Sequence, residues 1–368
     1  MTIYYTLFAL VFIFSVIAER NKKYDIKLGN KFIYIISLLA MLFSTSFVAG
    51  ARDNSIGTDI YFYALKVFEL SNNTPFFSEI DDLADPQIHI LARSSRILSN
   101  TFGFFLFLIE LWIVGFFCLA VHRMRDKLSI TFVFMMFMLL SYNQTLNIMR
   151  QSMAMSVLLF AYSYLIENKW TKVFIYTTLA YFCHSTSLFF VIIILLYLIY
   201  NNCSLKTSIV TFLLILSVIM LSIYTLYSNL LNYAIDQSII KEDYVRYLNG
   251  DSEKTLSKTN IVYNLLYISI YCPMLIKRNK GHFALLNVSL LVMIFFLSFI
   301  DFGGEIRSRI VLYFSYINML LIPLCCHMMN KKIMLFVCFM TIFSFIFNIC
   351  INNYGETCPY TSKFLGIL

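Results

Sequence analysis

Long apolar segments separated by short polar turns recur along almost the whole chain. A helix needs about 20 apolar residues to cross roughly 30 Å of hydrocarbon, and segments near that length are typical of membrane spans. The pattern predicts an all-α, polytopic integral membrane protein with about twelve transmembrane helices. Their predicted positions are 2–18, 31–49, 101–121, 129–142, 151–166, 172–184, 186–200, 207–228, 260–276, 283–300, 310–328 and 333–350.

The composition supports a membrane environment. Hydrophobic residues make up 60% of the chain and charged residues only 13%, against about 25% charged residues in soluble domains. No polar stretch is long enough for a separate soluble domain, so residues 1–368 are predicted to form a single transmembrane domain. The net charge of +8 is spread between the apolar segments. This spread argues against nucleic acid as a partner, because a nucleic-acid site gathers its basic residues in a patch.

The basic residues fall unequally on the two sides of the predicted spans. Short cytoplasmic loops of membrane proteins collect Lys and Arg. Sixteen basic residues lie in the alternate loops that include Arg123 and Lys331, whereas four lie in the opposing short turns and the tail. Both termini are therefore predicted to face the outer, periplasmic side. Two longer external segments, 50–100 and 229–259, are predicted to form part of an outer-face site.

The first external segment contains two amphipathic stretches, Tyr61–Leu70 and Ile88–Leu98. We expect them to lie along the membrane surface or to dip into it. Between them, Asp81–Asp85 carries three carboxylates, and we interpret this run as a solvated loop rather than a metal site. The cysteines show no metal-site spacing. The sequence therefore predicts no metal ion and no cofactor.

Four arginines on the predicted outer side oppose the charge bias and need another explanation. Arg52, Arg150, Arg307 and Arg309 are predicted to bind the anionic head of a lipid-linked substrate. Guanidinium groups hold a diphosphate through paired, charge-assisted hydrogen bonds. The alternative for Arg150 is snorkelling to lipid headgroups. For Arg52 and Arg309 the alternative is an ion pair with a nearby carboxylate.

Polar side chains accompany these arginines at helical spacing. Asn147, Arg150 and Gln151 are expected on one face of a helix. Arg309 and Tyr313 are four residues apart and are expected to share another face. The residues predicted to support substrate binding are Asn147, Gln151, Tyr63 and Tyr313.

Three residues are candidates for a general base. His184 lies at a predicted outer turn between two short spans, and an imidazole is a natural proton acceptor for a sugar hydroxyl at neutral pH. Asp59 and Glu305 are the alternatives, and the sequence does not decide among the three. A structural alternative for His184 is that it caps or bridges the turn.

The order of several short motifs resembles a known family. The motifs are Arg52-x-x-x-x-Gly-Thr-Asp with a following Tyr, Asn147-x-x-Arg-Gln-x-x-Ala, His184-Ser, Arg309-x-x-x-Tyr-Phe and Pro359-Tyr. Together they resemble the EpsG-like branch of the Wzy O-antigen and exopolysaccharide polymerases over nearly the full chain. Arg52, Arg150 and Arg309 match the family pattern, and Arg307 is added because it is close to Arg309 in the chain.

The resemblance implies a glycosyltransferase of the bacterial cell inner membrane that serves lipopolysaccharide or other polysaccharide biosynthesis. Such an enzyme moves the growing glycan from undecaprenyl diphosphate to the non-reducing sugar of another undecaprenyl diphosphate-linked repeat unit, on the outer face of the membrane. A direct displacement implies inversion and needs no metal, because arginine neutralises the leaving group. The implied partners are the lipid-linked donor and acceptor and the membrane lipid. The sequence leaves open whether a chain-length regulator protein also binds.

Two other functions stay open at this point. An O-antigen ligase would use the same donor, but ligases usually carry a large external loop late in the chain, and here the larger external segment is early. A lipid-linked oligosaccharide flippase or another transporter would place polar residues near mid-membrane. In this chain the polar clusters gather on one predicted side, which favours surface chemistry.

Overall fold

The protein is built from helices. The computed structural model describes residues 1–23, 28–71, 85–225, 268, 281–297, 304–326, 331–353 and 355–367. Within these ranges there is no β-strand, and the only isolated bridge pairs Ser362 with Ile367. The predicted all-α class is therefore confirmed.

The described helices follow one another with short connections. In chain order they are α1 (Thr2–Asn21), α2 (Leu28–Ala51), a π-helical turn (Ile60–Ala64) that continues into α3 (Leu65–Leu70), α4 (Pro86–Leu98), α5 (Phe102–Met124), α6 (Ile130–Leu140), α7 (Tyr142–Thr145), α8 (Met149–Leu165), α9 (Trp170–Cys183), a 3₁₀ turn (Ser185–Phe189), α10 (Phe190–Asn202), α11 (Leu205–Thr225), α12 (Gly281–Leu297), α13 (Gly304–Cys326) and α14 (Lys331–Phe345), which continues into a π-helical turn (Ile346–Ile351). The two amphipathic stretches of the first external segment form helices, as α3 with its preceding turn and as α4.

Several helices are suited to a bilayer. Among the described residues, five helices are long and apolar enough to cross a membrane: Thr2–Asn21, Gly29–Ala51, Phe102–Met124, Ser185–Asn202 and Met334–Ile351. Helices satisfy their own backbone hydrogen bonds, which a spanning segment requires. The chain is therefore a membrane protein. The predicted span 260–276, apart from residue 268, and the predicted external segment 229–259 lie outside the described residues, so the count of twelve and the outward termini stay predictions.

The first of two compact units comprises Met1–Leu188 and Cys326–Leu368. In this unit α2 packs against α1 and α5, α5 packs against α8, and α8 packs against α9. The helices α2 and α5 meet at two glycines, because a methyl group added to Gly50 would lie 2.8 Å from the Gly103 carbonyl oxygen. Small residues permit such close approach of helices. The crossing fixes the end of α2, which Arg52 directly follows.

Helix α8 is buried along nearly its whole length, including several serines. The hydroxyls of Ser156 and Ser163 donate to carbonyl oxygens one turn earlier, at 2.8 and 2.6 Å. These local bonds satisfy polar groups in an apolar setting, and the Ser163 hydroxyl oxygen also accepts from Arg123 Nε of α5 at 3.1 Å. Arg150 lies in the first turn of α8, so a buried helix determines its position.

The second compact unit is Phe189–Cys325 and contains α10 to α13. Helix α10 packs against α11 and α12. The hydroxyl oxygens of Tyr200 and Ser289 are 2.5 Å apart and form a buried hydrogen bond. The ring of Tyr313 packs 6.5 Å from that of Phe189. The hydrogen bond joins α10 to α12, and the ring contact connects α13 to the residue that precedes α10.

Candidate functional site

Asp85 is the carboxylate around which the candidate site is built. It directly precedes α4, with φ of 65° and ψ of 60°, and Pro86 follows it at the first helical position. Asp tolerates the left-handed conformation better than most residues, and proline suits the first position of a helix because no N–H is needed there. The Asp85 residue is only 6% exposed. The interpretation of Asp81–Asp85 as a solvated loop is therefore wrong for Asp85.

Arg150 forms an ion pair with this carboxylate. Its Nη1 lies 2.7 Å from Asp85 Oδ2. The Arg150 Cζ also lies 3.5 Å from the centroid of the Tyr63 ring, in cation–π geometry. Burial raises the pKa of Tyr63, more than the adjacent guanidinium lowers it, so the ring stays neutral. The ion pair and the aromatic face together fix the plane of the guanidinium, and the side chain is still one quarter exposed.

His184 completes this group on the other side of Asp85. It ends α9 with an extended backbone, and its N–H donates to the Ala180 carbonyl oxygen at 3.0 Å. The His184 Nδ1 lies 3.8 Å from Asp85 Oδ1, and the side chain is 10% exposed. At this distance the contact is an ion pair when the imidazole is protonated, rather than a hydrogen bond. We call Tyr63, Asp85, Arg150 and His184 the Asp85 cluster.

Arg52 occupies a separate buried position beside the start of α8. Its Nη2 lies 3.4 Å from Met149 Sδ, and its Nε has no hydrogen-bond partner among the described residues. Burial lowers the pKa of Arg52, while the charge of Glu110 acts in the opposite direction. Arginine remains a cation under these conditions. No ion pair within 4 Å joins Arg52 to a described carboxylate.

Glu110 is a buried acidic residue within α5 that the sequence analysis did not select. It is 2% exposed and accepts a hydrogen bond of 3.0 Å from the Thr145 hydroxyl. An ionisable residue within a membrane span is a signal of function or of a specific partner. Here the basic residue in electrostatic range is Arg52, so each of the two buried groups influences the charge of the other.

Asn147 holds the first external segment in place. Its Oδ1 accepts from the Thr58 hydroxyl at 2.8 Å and from the Asp59 backbone N–H at 3.3 Å. Gly57, with φ of 91°, packs closely against the residue before Asn147. A Cβ added to Gly57 would lie 2.6 Å from the Leu146 carbonyl oxygen. These contacts place Asp59 near Tyr63, and the negative charge of Asp59 contributes to the raised pKa of Tyr63.

The prediction that Asn147 shares a helix face with Arg150 and Gln151 is wrong for Asn147. The helix begins only at Met149, and Ile148 before it has φ of −88° and ψ of 61°. The helical spacing of the polar residues therefore continues upstream of the helix itself, and Asn147 lies in the turn before α8. Gln151 is in the first turn of α8 and is 4% exposed.

The C-terminal tail covers the end of α2. The Tyr360 hydroxyl donates to the Val48 carbonyl oxygen at 2.7 Å, and the Ser362 hydroxyl donates to the Ala51 carbonyl oxygen. Asp53 Oδ1 accepts from the backbone N–H of Lys363 at 2.9 Å. The last carbonyls of a helix lack intrahelical partners. The tail supplies these partners and thereby fixes the backbone next to Arg52.

The remaining predicted site residues belong to the second unit. Arg309 and Tyr313 both lie on α13, four residues apart, as expected. Tyr313 is 1% exposed, so it contributes to packing. Glu305 and Arg307 fall in the first turns of α13, and their side chains lie outside the described residues.

The Asp85 cluster brings a guanidinium, a carboxylate and an imidazole together. Such a set can hold an anion at the guanidinium and accept a proton at the imidazole. In the part of the chain that the structure describes, no three His, Cys, Asp or Glu side chains are arranged to hold a metal ion.

Comparison with known proteins identifies a family. The model of the EpsG family matches residues 35–362, and this match confirms the resemblance that the motifs indicate. The matched range contains the whole Asp85 cluster. No curated protein and no solved structure matches the chain.

Proposed function

Since the chain belongs to the EpsG family, we propose that it polymerises lipid-linked oligosaccharide repeat units. In this proposal the growing glycan moves from its undecaprenyl diphosphate carrier to the non-reducing sugar of another undecaprenyl diphosphate-linked repeat unit. Family membership and the apolar helices make the chain a membrane protein of the polysaccharide polymerase type. We also propose the identity of the donor and the acceptor, and the location of the reaction at the outer face of the inner membrane.

The observation that carries the proposal is the sharing of one buried carboxylate by Arg150 and His184. A transfer from a diphosphate carrier needs a cation where the leaving group departs and a base where the acceptor hydroxyl attacks. Charge that develops in a transition state is stabilised most by groups already held in place. Asp85 and Tyr63 hold Arg150 in this way, and Asp85 lies beside His184.

The proposed reaction is a single displacement. The acceptor hydroxyl oxygen forms a bond to the anomeric carbon of the donor while the bond from that carbon to the diphosphate oxygen breaks. His184 takes the hydroxyl proton, and the Asp85 carboxylate stabilises the resulting imidazolium. Arg150 binds the diphosphate as its charge increases. Attack opposite to the leaving group inverts the anomeric centre.

Other residues have supporting parts in this proposal. Arg52 adds positive charge beside the N-terminus of α8, where the helix dipole also favours an anion. Arg309 and Arg307 are proposed as further diphosphate ligands. Asp59 and Glu305 remain the alternatives to His184 as base. Because guanidinium groups carry the leaving-group charge here, the proposed reaction does not require a metal ion.

The test is product formation by purified protein in lipid vesicles supplied with an undecaprenyl diphosphate-linked repeat unit from the same gene cluster. We expect a ladder of glycans whose steps equal one repeat unit, still attached to the lipid. When lipid A core is added to the same vesicles, transfer of a single glycan to it without a ladder would identify a ligase instead. Movement of the unchanged donor across the vesicle membrane without a ladder would identify a transporter.

A further inference from the structure

An apolar groove runs along α2 and α5 in the first compact unit. Its volume is about 520 Å³, and its walls include Leu42 of α2 and Leu108, Trp112, Gly115 and Phe116 of α5. Apart from the indole N–H of Trp112 and the ring of His122 at one end, the described side chains that line this groove carry no hydrogen-bonding N or O atom. The groove is therefore suited to a hydrocarbon rather than to a sugar.

The groove is long, and it is open to its surroundings. On α5 its lining extends from Leu108 to His122, which at 1.5 Å per residue corresponds to about 21 Å along the helix. Three of its lining residues, Ile35, Leu39 and Leu119, are 41%, 43% and 46% exposed. An extended chain could thus enter from the hydrocarbon of the bilayer and lie along the helices.

Helix α4 links the groove to the Asp85 cluster. Asp85 directly precedes this helix, and Leu91 of the same helix lines the groove. Leu91 follows Asp85 by six positions, which corresponds to about 9 Å along the helix axis. A ligand with an anionic head and an apolar tail can therefore place its head at Arg150 and its tail in the groove.

We propose that this groove binds the part of the undecaprenyl chain next to the diphosphate. The inference rests on the proposed function and adds the site of the lipid tail. Because membrane lipid is as apolar as the groove, burial alone gives no preference for the polyprenyl chain. The preference comes from two features, namely the connection to the diphosphate site and the shape of the walls.

The shape of the walls is set largely by Gly115. A Cβ added to Gly115 would meet no atom within 4 Å, so the surface of α5 has a notch there, next to the aromatic side chains of Trp112 and Phe116. A polyprenyl chain carries a methyl branch on every isoprene unit and needs such lateral room. Filling the notch should obstruct the chain without disturbing the backbone.

Binding is measured in nanodiscs of phosphatidylethanolamine and phosphatidylglycerol. Trp112 is one of only two tryptophans in the chain, so a Trp170→Phe background makes it a reporter inside the groove. Binding of undecaprenyl diphosphate is followed by the change in Trp112 fluorescence emission. Binding of pyrophosphate, which has the anionic head and no lipid tail, is measured by calorimetry. We expect a saturable emission change with undecaprenyl diphosphate.

The decisive variant is Gly115→Phe, with Gly115→Ala as its matched control. We expect Gly115→Phe to raise the Kd for undecaprenyl diphosphate about tenfold or more and to leave the Kd for pyrophosphate unchanged. Gly115→Ala should match the parent protein for both probes. If Gly115→Phe does not fold, judged by its thermal midpoint, Leu42→Phe fills the groove from the α2 side without adding a tryptophan and should behave in the same way.

Two results would overturn the inference. One is an unchanged Trp112 emission, which would mean that ordinary bilayer lipid occupies the groove. The other is a Kd for undecaprenyl diphosphate that Gly115→Phe or Leu42→Phe leaves within about twofold of the parent value. Failure of the proposed function appears separately, as the absence of a glycan ladder while the groove still binds undecaprenyl diphosphate.

Discussion

Arg150 and Asp85, 65 residues apart in the chain, form an ion pair with Nη1 and Oδ2 at 2.7 Å. The other oxygen of the same carboxylate lies 3.8 Å from His184 Nδ1. One carboxylate thus influences both the proposed diphosphate ligand and the proposed base. In the proposed reaction this carboxylate stabilises the protonated imidazole, and it competes with the diphosphate for the guanidinium.

Replacing Asp85 should separate these two effects. In Asp85→Asn we expect kcat to fall about 10²-fold, because the imidazole loses the group that stabilises its protonated form. The donor KM should not rise, because Arg150 loses a competing anion. Steady-state kinetics with the lipid-linked donor measures both constants. Asp126→Asn, at an exposed position, is the control, and a rise in donor KM with unchanged kcat for Asp85→Asn would contradict this interpretation.

The identity of the base follows from three matched substitutions. His184→Gln should lower kcat by about 10² to 10⁴ with little change in donor KM, because glutamine keeps polarity without accepting the proton. Activity of the parent protein should also decline as the pH is lowered, because a protonated imidazole accepts no proton. Asp59→Asn and Glu305→Gln should keep most of the activity. A larger kcat loss in either of these variants would assign the base to that carboxylate instead.

The tight contact at Gly57 should make this position intolerant of a side chain. Gly57→Ala places a Cβ 2.6 Å from the Leu146 carbonyl oxygen and forces a positive φ on alanine. We expect a cost of about 2 kcal/mol or more and a lower thermal midpoint in detergent. Gly29→Ala is the control, since a Cβ there meets nothing within 4 Å and alanine favours a helix. Equal midpoints for the two variants would refute the packing argument.

The C-terminal tail should act on the substrate through Arg52. Burial raises the pKa of Tyr360 to about 12, so its hydroxyl donates to Val48 throughout the assay range. Tyr360→Phe should cost about 1 kcal/mol of stability and raise the donor KM while kcat changes little. Tyr181→Phe, at an exposed ring, should change neither. A lower midpoint with unaltered KM would show that the tail only stabilises the fold.

The sequence predicts the helical class well because that class depends on local composition. The length of the apolar segments alone predicts α2 and α5. Arg52 and Arg150 are selected as site candidates because they lie on the predicted outer side, where short loops carry few basic residues. Both arginines lie at the N-terminal end of α8 in the structure, where Arg52 contacts Met149. The prediction of Asn147 on the same helix face failed because spacing does not show where a helix begins.

The role of Asp85 depends on contacts that the sequence does not contain. Its neighbours Asp81 and Asp82 make the run look like a solvated acidic loop. The one local signal was Pro86, since an Asp directly before a proline at the start of a helix is a capping position with a defined backbone. Its pairing with Arg150 and His184 arises because α4 packs against α5 and α9, and α8 packs against the same two helices. Both partners lie more than 60 residues from Asp85 in the chain.

The chain contains a closely matched control for the proposed binding of the diphosphate by Arg150. Arg123 pairs with Glu167 at 2.5 Å, lies over the Tyr164 ring at 3.7 Å and has a side chain that is 21% exposed. It thus resembles Arg150 in all three respects but lies outside the Asp85 cluster.

The most direct measurement compares kcat/KM for ladder formation in Arg150→Ala and Arg123→Ala in the same vesicles. We expect a loss of about 10² to 10³ for Arg150→Ala. For Arg123→Ala we expect a change within about threefold, as for an exposed ion pair. Full ladder formation by folded Arg150→Ala, or equal losses in the two variants, would contradict the assignment of Arg150 to the diphosphate.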